Sequence, residues 1–105
     1  MNKKIEILKS DKGLNKEDFY RGFKEKLEIT HPFPSYYIYK FIVPAEHKNI
    51  AKIRIVFEDK GADFSSRESR NGKYISLTIK VLVNNADDVI NYYRQVSAIE
   101  GIVML

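Results

Sequence analysis

Residues 75–83, ISLTIKVLV, alternate apolar and polar side chains almost without interruption, and no other stretch of the chain constrains its fold as strongly. A strand sends successive side chains to opposite faces, so Ile75, Leu77, Ile79, Val81 and Val83 form one apolar row. Tyr74, Ser76, Thr78, Lys80 and Leu82 form the other. One row is suited to burial and the other mostly to water, the pattern of an antiparallel sheet covered on one side. Just before this run, Asn71-Gly72 follows a polar, charged stretch, SSRESR. Asn-Gly is the favoured two-residue hairpin turn because both central positions of that turn need positive φ. With a two-residue loop, Phe64 falls opposite Ile79 and Asp63 opposite Lys80, a complementary charge pair. The partner strand is polar because a strand at a sheet edge must avoid pairing with other chains.

The rest of the chain supplies partners for the apolar row. YYIYKFIV, residues 36–43, is aromatic and β-branched and ends at Pro44, so it reads as a strand. Tyr37, Tyr39, Phe41 and Val43 share one face; Tyr36, Ile38, Lys40 and Ile42 share the other, which Lys40 marks as the wetter. Residues 45–59 carry Ile50, Ile53 and Phe57 at helical spacing. IRIVF within them would also pass for a strand, since β-branched side chains lose rotamer freedom in a helix. Pro44 and the acidic Glu46 at the start favour the helix. From Asn85 a further helix is expected, with Asp88 placed as in a capping box and with Val89, Tyr92, Tyr93, Val96 and Ile99 facing inward. Gly101 is expected to end it, leaving IVML as a short strand. Towards the N-terminus, Asn15 is a candidate N-cap for a helix whose Phe19, Phe23 and Leu27 share one face, packed on the domain's edge. THPFPS, residues 30–35, cannot continue it.

The expected order is a helix followed by β, α, β, β, α, β. The last six elements make an α+β, ferredoxin-like two-layer sandwich: a four-stranded antiparallel sheet with two helices on one face. Its first and third strands are central, and these are the most apolar. Residues 1–32 are read as an N-terminal extension with a short helix and residues 33–105 as the domain. A length of 105 residues suits one core. A content of 44% hydrophobic and 30% charged residues is that of a soluble globular protein rather than a disordered or membrane chain. No apolar stretch approaches the roughly 20 residues needed to cross a bilayer, and MNKKIEILKS lacks the apolar core of a secretory signal, so the expected location is cytoplasmic, without membrane contact. The absence of cysteine removes disulfides, thiolate nucleophiles and cysteine-ligated zinc. The net charge of +4 is spread among acidic residues, which is the pattern of a solvated mixed surface.

HPFPSYYIYKFIV and SRNGKYISLTIKVLVNNADDVINYYRQVSAIEGIVML together carry a resemblance. They are similar to the YbeD-like family of small bacterial proteins of unknown function. Its members have a Phe-Pro lead-in to the first strand, a Ser-x-x-Gly-x-Tyr-x-Ser hairpin, a leucine and tyrosine pair in the last helix, and an apolar C-terminus. The corresponding residues here are Phe33-Pro34, then Ser69, Gly72, Tyr74 and Ser76, then Tyr92-Tyr93, then Met104-Leu105. Tyr92 stands where the family more often has leucine. The resemblance implies the same ferredoxin-like fold, like that of small regulatory domains that bind amino acids beside metabolic enzymes, and it implies no function.

Residues with chemical potential are few. His31 and His47 have no histidine or cysteine partner at metal-ligand spacing, so neither a metal nor another cofactor is expected. Asp87 and Asp88 lie where acids serve a helix N-terminus. No nucleophile elbow or phosphate-cradling glycine loop is present, and no catalytic residue is assigned. The candidate binding surface is the open sheet face, with Tyr36, Ile38, Lys40, Arg67, Tyr74, Ser76, Thr78 and Lys80, in which Tyr36 and Tyr74 are expected side by side among cations. The expected function is a non-catalytic binding or regulatory module that docks to a protein partner or a small ligand, with a homodimer through an edge strand or the open face as one form of docking. The alternative is a single-stranded RNA-binding protein that stacks bases on this face, although Lys73 and Ser76 stand where RNA-recognition sheets carry aromatics. A third arrangement buries the face beneath the N-terminal helix.

Overall fold

The structure, a computed structural model, describes residues 16–105. Asn15, the expected N-cap of the first helix, lies outside them. In chain order the described elements are α1 (Lys16–Thr30), β1 (Ser35–Pro44), α2 (His47–Val56), β2 (Asp63–Glu68), β3 (Tyr74–Val83), α3 (Ala86–Val96) and β4 (Val103–Met104). The strands form one antiparallel sheet in the order β2-β3-β1-β4, with α2 and α3 packed on one face. This is the ferredoxin-like α+β sandwich. The added α1 packs against α3, on the helical side.

The apolar rows of β1 and β3 meet the helices as their alternation requires. Tyr39, Phe41, Val43, Leu77, Ile79, Val81 and Val83 are buried with Ile53 and Phe57 near α2 and with Val89, Tyr93 and Val96 of α3. Each such side chain contributes roughly 1.5 to 3 kcal/mol on burial. The tyrosines enter this core because their hydroxyls find partners. Tyr39 donates to the Val89 carbonyl at 2.9 Å, and the Tyr37 and Tyr93 hydroxyls share a 3.0 Å hydrogen bond. Burial pushes the Tyr39 and Tyr93 hydroxyl pKa values far above the usual phenol range.

The hairpin keeps the expected pairing, Phe64 with Ile79 and Asp63 with Lys80, but not the expected turn. The loop is closed by Ser69 N–H to the Tyr74 carbonyl at 2.8 Å, and Gly72 N–H donates to the Ser69 carbonyl at 2.9 Å. Of the Asn-Gly pair only Gly72 has positive φ, at 73°. Asn71 serves through its side chain: its Oδ1 accepts from Lys73 N–H and from Ser69 Oγ, each at 3.0 Å. Lengthening the loop by one residue on each side leaves the ladder register unchanged. The expected Asp63–Lys80 ion pair does not form either, because Lys80 Nζ lies over the Tyr36 ring, 5.0 Å from its centre.

Local capping explains the helix ends. Asn85 Oδ1 accepts from Asp88 N–H at 2.9 Å, while Asp88 Oδ2 accepts from Asn84 N–H at 2.8 Å, one residue earlier than in a capping box. The helix α3 ends at Val96 rather than running to Gly101: the Ser97 hydroxyl donates to the Arg94 carbonyl, a side-chain bond that competes with continuation. Gly101 turns the chain into β4 at φ 80°, a conformation that strains any other residue, and a Cβ there would press on Pro44 Cγ at 3.0 Å. Residues 47–56 are helical, as Ile53 and Phe57 required, despite their β-branched run. In α1 the deepest residues are Tyr20 and Leu27, with Phe19 and Phe23 on the margins. Arg94 stacks on the Tyr20 ring and grips Glu17 at 2.8 and 2.9 Å, and Lys24 pairs with Asp87. Among the described residues no helix is long and apolar enough to cross a membrane.

Candidate functional site

The second face of the sheet has no layer over it among the described residues. Strand register lays its side chains out as a grid. One row is Ile38, Lys80 and Asp63; the next is Lys40, Thr78 and Ser65; the next is Ile42, Ser76 and Arg67. Tyr36 pairs with Leu82 at one end and Pro44 with Tyr74 at the other. Tyr36, Ile38, Leu82 and Tyr74 are 60%, 54%, 49% and 48% exposed and share this face, whereas the other exposed large apolar side chains among the described residues, Ile29 and Ile55, stand singly on α1 and α2. The helix α1 does not cover them, so burial of this face by the N-terminal helix is overturned: its stripe is spent on α3.

The expected pair of neighbouring aromatic platforms is also overturned. Tyr36 faces Leu82, which lies eight positions along β3 from Tyr74, so the two rings stand roughly 26 Å apart at about 3.3 Å per residue. What the grid does bring together is different. Lys40, Ile42, Ser65, Arg67, Ser76, Thr78 and Leu105 surround a shallow trough of ≈ 560 Å³. Lys40 comes from β1 and Arg67 from β2, diagonally across the hydroxyls of β3. Neither cation has an ion pair among the described residues, and the three hydroxyls there make no hydrogen bond to them. On the helical side, by contrast, Arg94, Lys24 and Arg21 are each paired with a carboxylate.

Six of the eight residues chosen from the sequence thus lie together in the grid, which Tyr36 borders at one end and Tyr74 at the other. Ser65, Ile42 and Leu105 complete the trough. Ser65 was legible from the hairpin pairing, which sets it opposite Thr78; Leu105 was not, because only the docking of β4 beside β1 brings it there. The histidines stand apart. His31 packs against the Phe33 and Tyr37 rings, and His47 is exposed at the start of α2. Asp87 pairs with Lys24 and Asp88 caps α3. Among the described residues no group of three or more histidine, aspartate or glutamate side chains is placed to hold a metal ion.

A ferredoxin-like α+β domain with one bare sheet face is the class these observations define. Residues 28–105 match the model of the family described as "Protein of unknown function (DUF493)", and the chain belongs to that family, in agreement with the YbeD-like resemblance of its hairpin, last helix and C-terminus. No curated protein matches the chain.

Proposed function

We propose that this domain is a non-catalytic binding module that acts by docking its open sheet face onto a protein partner or a small ligand. The observation that carries this reading is the contiguity of exposed Tyr36, Ile38 and Leu82 with a cation-bearing trough on a face that nothing among the described residues covers. Exposed apolar side chains gathered on one face mark interaction surfaces, whereas scattered ones do not. A second copy of the chain is one partner such a face would suit. Residence in the cytoplasm and a regulatory role are part of the same proposal.

The test is a comparison of material co-purifying from native cells with the wild-type chain and with an Ile38→Asp, Leu82→Asp double variant. Loss of bound material from the variant, with an unchanged thermal melt, is expected. Identical co-purifying material would remove the open face from the function.

Single-stranded RNA binding is the second reading, supported by exposed Tyr36 with Lys80 over its ring and Lys40 nearby. Successive bases cannot stack on both Tyr36 and Tyr74 across their separation, which weighs against it. A titration with single-stranded RNA that tightens steeply as salt is lowered, and fails in Tyr36→Ala, would favour it.

A further inference from the structure

We propose that the trough on the open face is a binding site for a small phosphorylated molecule, its phosphate held between Lys40 and Arg67 over the hydroxyls of Ser76 and Thr78. The proposal rests on the reading of this face as a binding surface and names the ligand class for one part of it.

The argument starts from donor count. Lys40, Arg67, Ser65, Ser76 and Thr78 all offer donors to the same trough, and no aspartate or glutamate side chain lines it. Asp63 is the nearest acid in the grid, one row away beside Lys80. Unpaired donors of this kind are matched by a ligand made mostly of acceptors. A phosphate monoester is such a group: it carries about −1.5 to −2 charge at neutral pH and three strongly accepting oxygens. Two cations with Lys80 close by suit a dianion better than a single carboxylate. Arg67 adds a planar fork that matches two phosphate oxygens at once.

Geometry agrees. Lys40 and Arg67 lie two strands and two residues apart, which puts their Cα atoms about 12 Å from each other at standard sheet spacings. Two long side chains converging from that distance meet over the strand between them, where Ser76 and Thr78 stand. Ile42 and Leu105 line the trough on the β1 and β4 side and supply an apolar contact for the ligand's organic body. A volume of ≈ 560 Å³ suits a metabolite rather than a macromolecule. The groove between α1 and α3 also holds cations, but Arg94, Lys24 and Arg21 are there already neutralised by Glu17, Asp87 and Asp18.

The test uses the full chain, labelled with ¹⁵N, titrated with inorganic phosphate and with glycerol 3-phosphate at ionic strength held constant by chloride, with acetate as the carboxylate control. Saturable shifts are expected at the amides of Ser65, Ser76 and Thr78, with the phosphomonoester binding more tightly than inorganic phosphate. Arg67→Ala and Lys40→Ala are each expected to weaken binding about tenfold, the size of one lost charge-assisted contact. Arg67→Lys, which keeps the charge and removes the fork, is expected to fall between. Unchanged thermal melts establish that these exposed variants fold. Shifts that do not saturate and that fall equally near Lys52 and Lys60, equal binding by acetate, or full affinity in Arg67→Ala overturn the proposal. Binding only of a single-stranded oligonucleotide, lost in Tyr36→Ala, overturns it in favour of RNA. An Ile38→Ser, Leu82→Ser variant, which puts no carboxylate beside Lys40 and Lys80, separates the two readings: phosphate binding is expected to survive in it, and if phosphate binding fails in the wild type while that variant still loses its native partner, only the trough assignment falls.

Discussion

The two faces of β1 differ by a shift of one residue and share almost the same residue types. Tyr39 and Phe41 are fully buried against the helices, whereas their neighbours Tyr36 and Ile38 are more than half exposed. Aromatic and β-branched composition therefore does not decide burial here; the parity of the strand and the side that the helices cover decide it. Inward tyrosines are held by hydrogen bonds to Val89 and to each other, and the outward Tyr36 carries only Lys80 over its ring. The lesson is a division of labour within single strands. One row of side chains supplies the stability, which leaves the other free to carry recognition.

Truncation tests that division most directly. Phe41→Ala is expected to cost about 3 to 5 kcal/mol in urea unfolding, whereas Ile38→Ala stays within about 0.5 kcal/mol. Comparable losses at both sites would mean that the outer face is packed in the isolated protein, and the comparison would break. Alkaline pH sharpens it next. Desolvation raises the Tyr39, Tyr93 and Tyr37 pKa values above the ordinary phenol value, so the unfolded chain releases its phenolic protons first. Their contribution is fully present below the unfolded value and drains away as pH rises above it. Melting temperature should fall through that range, less steeply in Tyr39→Phe; a flat profile up to about pH 11 contradicts buried phenols. Removing the cap by Asn85→Ala should cost about 1 kcal/mol and be read as a shifted urea midpoint. The smallest effect belongs to the outer layer. Glu17 has its pKa lowered chiefly by the hydrogen bond from Arg94, so its help is present above the unfolded carboxylate value and is lost as pH falls through the lowered one. Hydrogen-exchange protection factors in α1 should fall in acid more than those in β3, and acid-insensitive protection in α1 would show that its ion pairs contribute nothing.

Several elements were readable before any coordinates, for local reasons. The alternation of residues 75–83 marked the buried row, and Asn71-Gly72 located the hairpin whose register holds to the end of β2. The turn itself was misread, because Asn71 works through its side-chain acceptor rather than through positive φ. The helix over residues 47–56 was readable through the spacing of Ile50, Ile53 and Phe57 together with Pro44 and Glu46 at its start, since its composition points equally to a strand. In α1 the visible phenylalanines drew attention from Tyr20, whose burial depends on Arg94 arriving from α3 to cover its ring. On the open face, strand parity put the chosen residues on one side, but the expected neighbourhood of Tyr36 and Tyr74 did not follow.

By itself, then, the sequence determined the strands, the parity of their faces and the pairing of β2 with β3, because period-two patterning and a short turn act over a few residues. Tertiary structure alone decided that Tyr36 and Tyr74 stand at opposite ends and that Lys40 and Arg67 flank the same hydroxyls. The physical reason is the register between β1 and β3: a helix and a strand intervene between them in the chain, no local turn ties them, and only the packing of both apolar rows under α2 and α3 sets which residues become lateral neighbours.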